Sequence, residues 1–313
     1  MFLGWSCLFA DDTYFGLQNR VIEVFDRRWD AVVRVKAGSE ETNELGETKW
    51  TVRVGSGFFS SADGLIVATF RAVEGAERLR YEYLDRTYDA VLVGADPTTN
   101  LALLRAVERP EVIDFVPVMD SGMPRIGTFV LSISCALEFD PAPSIGLVSG
   151  HEDRFGNRVF PTRYLRASIP ANPGEGGSPV FDLEGRFLGV LIASLPEVNS
   201  SYIIPSRAVI RVLEGLGRGG EVEYGWIGIE VEERPKGQNG KGLFVMSLDR
   251  GGPAQRAGIE ENDEIVNVDG DSIRNVGDLR NRFFFARIGE TLTMTIRRGE
   301  EFRTFAVPVL EKP

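Results

Sequence analysis

The feature that most constrains the fold is a succession of short β-type segments. Apolar residues occur in short runs, and Gly, Asp and Pro residues separate one run from the next. The runs are "AVVRVKA", "WTVRVGSGFF", "GLIVATF", "RLRYEYL", "YDAVLVGAD", "NLALLRA", "GTFVLSIS", "SIGLVSG" and "GRFLGVLIAS". Many short strands with turn signals between them predict a β-sandwich or β-barrel.

Helical spacing occurs at only a few places. Residues 14–29 place apolar side chains at helical intervals, and residues 206–220 read as a helix that ends in glycines. A helix ending of this kind marks a domain boundary. We expect a remnant of a signal sequence at 1–13, a β-barrel domain at 14–210, a linker at 211–221 and a smaller domain at 222–313.

Composition and charge exclude several classes of partner and cofactor. The net charge is −11, from 46 acidic and 35 basic residues, which argues against nucleic acid or an anionic membrane as the main partner. No apolar run approaches the roughly 20 residues of a membrane-spanning helix. Two cysteines, Cys7 and Cys135, and one histidine, His151, are too few for a disulfide framework or a zinc cluster. We therefore expect no metal ion, no cofactor and no transmembrane segment.

The N-terminus carries a secretory pattern. The segment is apolar as far as Ala10 and then abruptly acidic, like the end of a signal peptide, although it is short and lacks a basic start. We expect export to the periplasm or cell envelope.

Five segments, in order along the chain, form a recognisable set: "GSGFFSSADGLIVATFRAVEGA" (55–76), "GADPTTNLALLRA" (94–106), "NPGEGGSPVFDLEGRFLGV" (172–190), "WIGIEV" (226–231) and "GGPAQRAGIEENDEIVNVDGDSIRNVGDLRNRF" (251–283). Together they resemble the HtrA/Deg family of trypsin-like serine proteases with a C-terminal PDZ domain. The resemblance implies a mainly β fold, with a chymotrypsin-like double β-barrel followed by an α+β PDZ domain. The activity that the resemblance implies is that of a serine endopeptidase.

The three triad positions implied by this resemblance hold other residues. The histidine position is Arg71, the aspartate position is Asn100, and the serine position is Gly176. Arginine stays charged and cannot act as a general base near pH 7, and asparagine cannot stabilise an imidazolium by charge. The only histidine, His151, has acidic and basic neighbours typical of a solvated loop. From these positions we predict that the chain is not an enzyme.

Ser178 lies two residues beyond the expected nucleophile. We expect its hydroxyl to bond local backbone, and no lysine lies between Lys49 and Lys236 to serve as its base. The backbone of Gly174, Glu175 and Gly176 either keeps an oxyanion-binding turn or adopts a different shape. Whether Arg71 pairs with Glu175 or points into solvent stays open.

The resemblance places a peptide groove in the C-terminal domain. A peptide would add a strand beside 229–232, with its C-terminal carboxylate on the backbone around Ile227. The predicted groove residues are Trp226, Ile227, Gly228, Ile229, Val231, Leu279 and Phe283. An apolar groove of this kind prefers peptides that end in a hydrophobic residue.

Three functions follow from these observations. The first is an inactive HtrA-like protein that binds polypeptides or C-terminal peptides, as a scaffold, chaperone-like holder or regulator of an active relative. The alternative is an active HtrA/Deg endopeptidase with a non-standard site at Ser178, and the third is a structural subunit with a closed groove. The resemblance also implies a homotrimer.

Overall fold

A computed structural model describes residues 11–42, 48–156, 158–235 and 241–313. Most of the expected signal remnant, residues 1–10, lies outside the described residues. The chain divides into two compact units. The first comprises residues up to Gly150 together with 165–220, and the second comprises 151–164 together with 221–313.

The first unit opens with a helix and a closed six-stranded barrel. Helix α1 (Asp11–Arg28) covers all of the predicted helical segment 14–29 except its last residue, Trp29. The barrel order is β1-β2-β3-β6-β5-β4. Its strands are β1 (Val32–Thr42), β2 (Thr48–Phe59), β3 (Leu65–Thr69), β4 (Arg78–Tyr83), β5 (Arg86–Asp96) and β6 (Leu101–Ala106), and α2 (Phe70–Val73) follows β3. In β4 every second residue is buried, which is the period expected of a strand with one face on a core.

A second closed barrel follows, in the order β10-β11-β12-β9-β8-β7. Its strands are β7 (Phe129–Ser134), β8 (Ala142–Phe155), β9 (Arg158–Ala167), β10 (Pro179–Phe181), β11 (Phe187–Leu195) and β12 (Ser200–Pro205). Helix α3 (Ser206–Gly219) comes next and ends at Gly220, whose φ of 80° suits a glycine cap. The predicted linker at 211–221 therefore coincides with the second half of this helix.

The second unit contains a smaller sheet with two helices. Its strands are β13 (Ile229–Pro235), β14 (Lys241–Leu248), β15 (Glu264–Val268), β16 (Asp271–Ser272), β17 (Thr291–Arg298) and β18 (Glu301–Pro308), with α4 (Pro253–Ala257) and α5 (Val276–Phe285) between them. The sheet order β13-β14-β15-β17-β18 leaves β13 at one edge. At the start of α5 the side chain of Asn275 accepts a hydrogen bond of 2.8 Å from the backbone N–H of Asp278.

The predicted fold class is confirmed. The chain is mainly β, with two barrels followed by a smaller α+β sheet. Alternating burial marks strands with one face on a barrel interior, such as β4, whereas β12 is buried along its whole length.

Candidate functional site

Two of the three predicted triad positions lie side by side. The backbone N–H of Arg71 donates to Oδ1 of Asn100 over 3.0 Å. Nδ2 of Asn100 donates to the carbonyl of Ile192 over 3.0 Å, which links α2 to strand β11. Asn100 has a left-handed backbone with φ of 63°, a conformation that asparagine adopts more readily than most residues. Asn100 therefore positions the backbone at residue 71.

The side chain of Arg71 is exposed and makes no ion pair with any described residue. Glu175 is buried, and its carboxylate accepts bonds from the backbone N–H and the side-chain amide of Asn172, at 2.8 and 3.2 Å. Arg71 and Glu175 do not pair in this conformation. Glu175 instead holds the turn from residue 172 to residue 175.

Ser56 fixes the glycine loop from the first barrel. Its backbone N–H donates to the carbonyl of Gly176 over 3.0 Å, and its hydroxyl donates to the carbonyl of Gly174 over 2.9 Å. The same hydroxyl accepts from the backbone N–H of Cys135 over 3.0 Å. Sequence reasoning missed Ser56, and its signal was a serine between two glycines on a buried strand. Ser56 thus ties together three segments around the loop.

Ser178 is fully buried, and its hydroxyl is committed to local backbone. Oγ donates to the carbonyl of Glu175 over 2.6 Å, which agrees with the expected local hydrogen bond. The carbonyl of Ser178 accepts from the backbone N–H of Leu191 over 3.0 Å. For Ser178 to attack a peptide carbonyl, the loop would have to release this hydroxyl and turn it outward.

Replacing Ser178 with alanine should cost about 1 kcal/mol of the free energy of unfolding, because one buried hydrogen bond is lost and a carbonyl loses a donor. Urea denaturation of the two proteins measures the difference. Ser272→Ala, at an exposed serine, is the matched control and should change stability little. If both changes altered the free energy of unfolding equally, the buried hydrogen bond of the Ser178 hydroxyl would not contribute to stability.

Cys135 does not supply an alternative nucleophile at neutral pH. Its side chain is buried, and burial raises the pKa of the thiol to about 11. The thiol therefore stays protonated, whereas catalytic cysteines act as thiolates. Among the residues that the structure describes, no group of three or more His, Cys, Asp or Glu side chains could hold a metal ion.

A small cavity lies beside the glycine loop. Its volume is about 190 Å³, and residues 169–172, 194–196 and 199–201 line it. None of these residues is charged, and three are serines. Such a lining suits an uncharged side chain, because a buried charge would have no partner there. No local sequence pattern predicts this cavity, since residues 169–172 lie more than twenty residues before the other lining residues, 194–201.

Strand β11 offers a free edge next to this cavity. Residues 193–195 pair with residues 200–202 of β12 on one side. On the other side β10 pairs only with residues 187–190, and no other described strand pairs with 193–195. An extended polypeptide can add to such an edge by backbone hydrogen bonds.

In the second unit, the residues from Trp226 to Gly228 form a fixed turn before β13. Trp226 exchanges two backbone hydrogen bonds with Leu310, at 2.8 and 3.0 Å. The carbonyl of Ile227 accepts from Ala254 over 3.0 Å, and the carbonyl of Gly228 accepts from Asp249 over 3.0 Å. Gly228 has φ of 72°, a region that favours glycine. Backbone hydrogen bonds to Leu310, Ala254 and Asp249 therefore fix this turn without a bound peptide.

The predicted groove residues divide between core and surface. Ile227 and Leu279 are buried in the core of this unit. Ile229, Val231 and Phe283 are only partly buried and pack against the same core. These three side chains lie on edge strand β13 and helix α5, and their exposed parts are available to a peptide.

Residues 151–164 belong to the second unit and contact α5 there. The guanidinium of Arg163 donates to both carboxylate oxygens of Asp153, at 2.8 and 2.9 Å, and to Oδ1 of Asp278 at 2.6 Å. Oδ1 of Asn281 accepts from the hydroxyl of Thr162 over 2.7 Å. The hydrogen bonds and charge of Asp153 raise the pKa of Arg163 further. His151, the only histidine, also lies in this unit and is exposed.

Comparison with known families matches both parts of the chain. Residues 55–190 match the trypsin-like peptidase domain family, and residues 225–309 match the PDZ domain family. A probable periplasmic serine endoprotease, DegP-like, from Bartonella henselae is 30% identical over 263 residues, which cover 80% of this chain and 52% of that protein. A protein of the same name from Brucella suis is 28% identical over 311 residues, covering 96% of this chain and 59% of that protein. The chain thus spans somewhat over half the length of these curated relatives.

Solved structures show the same fold. The HtrA-type protease AlgW with a tripeptide superposes with a TM-score of 0.77 at 22% identity, covering 94% of this chain and 97% of that one. The serine endoprotease from Yersinia pestis gives a TM-score of 0.68 at 24% identity, covering 94% of this chain and 98% of that one. At these identities the likeness establishes the fold alone.

These comparisons correct one prediction and confirm another. The prediction that the chain is not an enzyme is contradicted, because the similar curated proteins are named probable serine endoproteases. The substitutions at Arg71, Asn100 and Gly176 are therefore not sufficient grounds to exclude an enzyme. The expected periplasmic location agrees with the names of the relatives. No helix among the described residues is long and apolar enough to cross a membrane.

Two closed barrels, a glycine loop between them and a following PDZ domain match these proteins in sequence, order and fold. The chain therefore joins a domain of the trypsin-like peptidase family to a following PDZ domain, and across both domains it is similar to DegP-like and HtrA-type proteases.

Proposed function

We propose that this chain acts on polypeptides in the periplasm as a DegP-like endoprotease, with a PDZ groove that binds apolar C-terminal segments. The observation that carries the proposal is the edge strand β13 beside helix α5. Among the described strands, β13 has a sheet partner on one side only, and the fixed turn at 226–228 lies immediately before it. Peptides bind such an edge by adding a strand, with affinity from the backbone and specificity from side-chain pockets.

The groove chemistry selects the end of a chain. Backbone N–H groups around Gly228 provide dipoles for a terminal carboxylate, and Ile229 and Phe283 supply an apolar wall for its last side chain. Glu230 and Glu232 follow on the same strand and favour a peptide without acidic residues near its end.

The first unit supports polypeptide binding independently. The free edge of β11 at residues 193–195 and the uncharged cavity of about 190 Å³ next to it suit an extended backbone and one neutral side chain. Both units therefore carry features that recognise extended polypeptide rather than a small molecule.

The relatives are named endoproteases. Their names favour an active endopeptidase over an inactive scaffold, chaperone-like holder or regulator. In this chain endoproteolysis would use Ser178, after a rearrangement that frees the hydroxyl from the carbonyl of Glu175. A homotrimer and a complex with an active HtrA relative stay predictions.

Two assays test the proposed endoprotease activity. Gel electrophoresis follows the digestion of casein, and a fluorophosphonate probe labels a reactive serine. We expect casein fragments from the wild-type chain and none from Ser178→Ala. A third protein, Ser272→Ala, should match the wild type. Absence of cleavage by the wild type, or cleavage that survives Ser178→Ala, would refute catalysis by Ser178 and leave peptide binding to be tested separately.

A further inference from the structure

Arg71 presents an unpaired positive charge beside the glycine loop. Its side chain is exposed, and its guanidinium makes no ion pair or hydrogen bond with any residue that the structure describes. Two acidic residues on neighbouring segments leave this charge uncompensated. Glu74 lies three residues further along the chain without an ion pair to Arg71, and Glu175 is buried with its carboxylate bound to Asn172. The guanidinium is therefore available to a ligand.

Two hydrogen bonds place Arg71 next to the free edge of β11. The backbone N–H of Arg71 donates to Oδ1 of Asn100, and Nδ2 of Asn100 donates to the carbonyl of Ile192, each over 3.0 Å. Ile192 directly precedes residues 193–195, whose outer edge pairs with no described strand. One asparagine side chain thus separates the backbone at residue 71 from the strand to which a polypeptide would add.

The glycine loop leaves open space beside α2. An added Cβ at Gly176 would have only two atoms within 4 Å, at 3.8 and 3.9 Å, and both belong to the side chain of Thr69. Thr69 immediately precedes α2, which carries Arg71. Because Gly176 has no side chain, a bound polypeptide has room between the loop and α2.

The geometry brings adjacent side chains of a bound polypeptide to two different surroundings. The cavity of about 190 Å³ begins at residue 194 of β11 and has no charged lining residue, so it suits a neutral side chain. Arg71 adjoins Ile192, only two residues before the cavity. A strand advances by about 3.3 Å per residue, so a residue next to the neutral one comes close to the guanidinium.

The chemistry of the guanidinium selects a carboxylate. Arginine binds carboxylates and phosphates through two parallel hydrogen bonds. The net charge of −11 opposes the approach of a polyphosphate such as a nucleic acid. Within a polypeptide that passes along an open edge, the side chains of aspartate and glutamate supply the carboxylate.

We propose that Arg71 selects extended polypeptides that carry an aspartate or glutamate next to the residue whose neutral side chain enters the cavity. This inference deepens the proposed function and rests on polypeptide binding at the edge of β11. The guanidinium pairs with the acidic side chain while the polypeptide backbone adds to residues 193–195. Arg71 therefore determines specificity and takes no part in bond cleavage, because its charge is permanent.

Fluorescence anisotropy with three labelled peptides tests the proposal on the full chain. Each peptide carries fluorescein at its N-terminus and an amide at its C-terminus, so that no terminal carboxylate engages the PDZ groove. The three share one sequence around a central valine, and the residues on both sides of the valine are glutamate, glutamine or lysine. Every protein also carries Ser178→Ala, so that the peptides stay intact and the result does not depend on catalysis.

The parent protein should bind the glutamate peptide about fivefold more tightly than the glutamine peptide, and the lysine peptide most weakly. Non-specific attraction cannot produce this order, because the net charge of −11 favours the lysine peptide. Arg71→Gln should bind the glutamate and glutamine peptides equally, Arg71→Lys should keep part of the preference, and Arg71→Glu should favour the lysine peptide. Each variant retains the backbone N–H that bonds Asn100, so the loop keeps its support.

Arg105→Gln is the matched control for the loss of charge. Arg105 is an exposed arginine of the same unit that pairs with Asp63, at the opposite end of β6 from Asn100. This variant should keep the preference of the parent for the glutamate peptide. Thermal melting of each protein reports on folding.

The outcomes separate this inference from the proposed function. Equal binding of the glutamate and glutamine peptides by the parent, or a preference unchanged in Arg71→Gln, would overturn the role of Arg71 and leave polypeptide binding by the first unit in place. An equal loss of preference in Arg105→Gln would overturn it as well, since the general charge of the protein would then explain the result. Binding of none of the three peptides would overturn it together with binding at the edge of β11.

Discussion

Replacing Gly177 with alanine is expected to cost about 4 kcal/mol or more of the free energy of unfolding. Gly177 has φ of 100°, which residues with a Cβ rarely adopt. An added Cβ would lie 2.0 Å from the carbonyl oxygen of Ser56 and 3.5 Å from Cα of Ala68. The atom at 2.0 Å belongs to the backbone of a buried strand and cannot move easily. To avoid this clash the loop would have to shift and break the hydrogen bond of 2.8 Å from the backbone N–H of Gly177 to the carbonyl of Leu191.

Gly176 provides the matched control one residue earlier. Its φ lies outside the left-handed region, and the nearest atoms to an added Cβ are those of Thr69, at 3.8 and 3.9 Å. Gly176→Ala should therefore change stability by no more than about 0.5 kcal/mol. Urea denaturation followed by circular dichroism measures both variants. Equal losses for Gly176 and Gly177 would show that the loop is built differently.

Replacing Phe283 with alanine is expected to weaken the binding of a peptide that ends in a hydrophobic residue about tenfold. Phe283 lies on α5, is only partly buried and packs against the core beside Ile229 and Val231. Loss of its ring removes apolar area from one wall of the proposed groove, and burial of a large side chain contributes about 1.5–3 kcal/mol.

Phe302→Ala is the control for this prediction, because Phe302 lies on β18 and is 66% exposed. Fluorescence anisotropy with a labelled peptide measures affinity, and thermal melting of each variant reports on folding. If both variants bind the peptide like the wild type, Phe283 does not form the wall of the groove.

The architecture could be predicted because strand patterns are local. Alternating apolar residues in "RLRYEYL" place Leu79, Tyr81 and Tyr83 on one face, and all three are buried in the first barrel. The glycines at the C-terminal end of 206–220 likewise predict the end of a helix from a local pattern.

The site could be predicted only in part. Spacing alone does not bring Arg71 beside Asn100, since 29 residues separate them, and the family resemblance supplied that expectation. The hydrogen bond of the Ser178 hydroxyl to local backbone could be expected from its place in a tight glycine turn. The role of Ser56 could not be predicted, because no local pattern connects a serine on β2 to Gly174 and Gly176.

The sequence could not predict a cavity of about 650 Å³ in the first unit, whose lining includes several carboxylates. Asp30, Glu82 and Asp140 are separated by long stretches of chain, and only barrel closure brings them around one space. Acidic residues on such different segments read as ordinary surface charge until the fold is known. The raised pKa of Asp30 depends on Asp114, which is equally remote.

Recognition of a polypeptide C-terminus by the turn at 226–228 and strand β13 is the central claim. Titration calorimetry of the full chain with one peptide ending in valine, as the free acid and as the C-terminal amide, tests it most directly. The account predicts that the free acid binds and that amidation weakens binding tenfold or more. The amide is uncharged, so it forms weaker hydrogen bonds with the backbone N–H groups around Gly228 than the carboxylate does. Equal affinities for the two peptides, or no binding of the free acid, would contradict it.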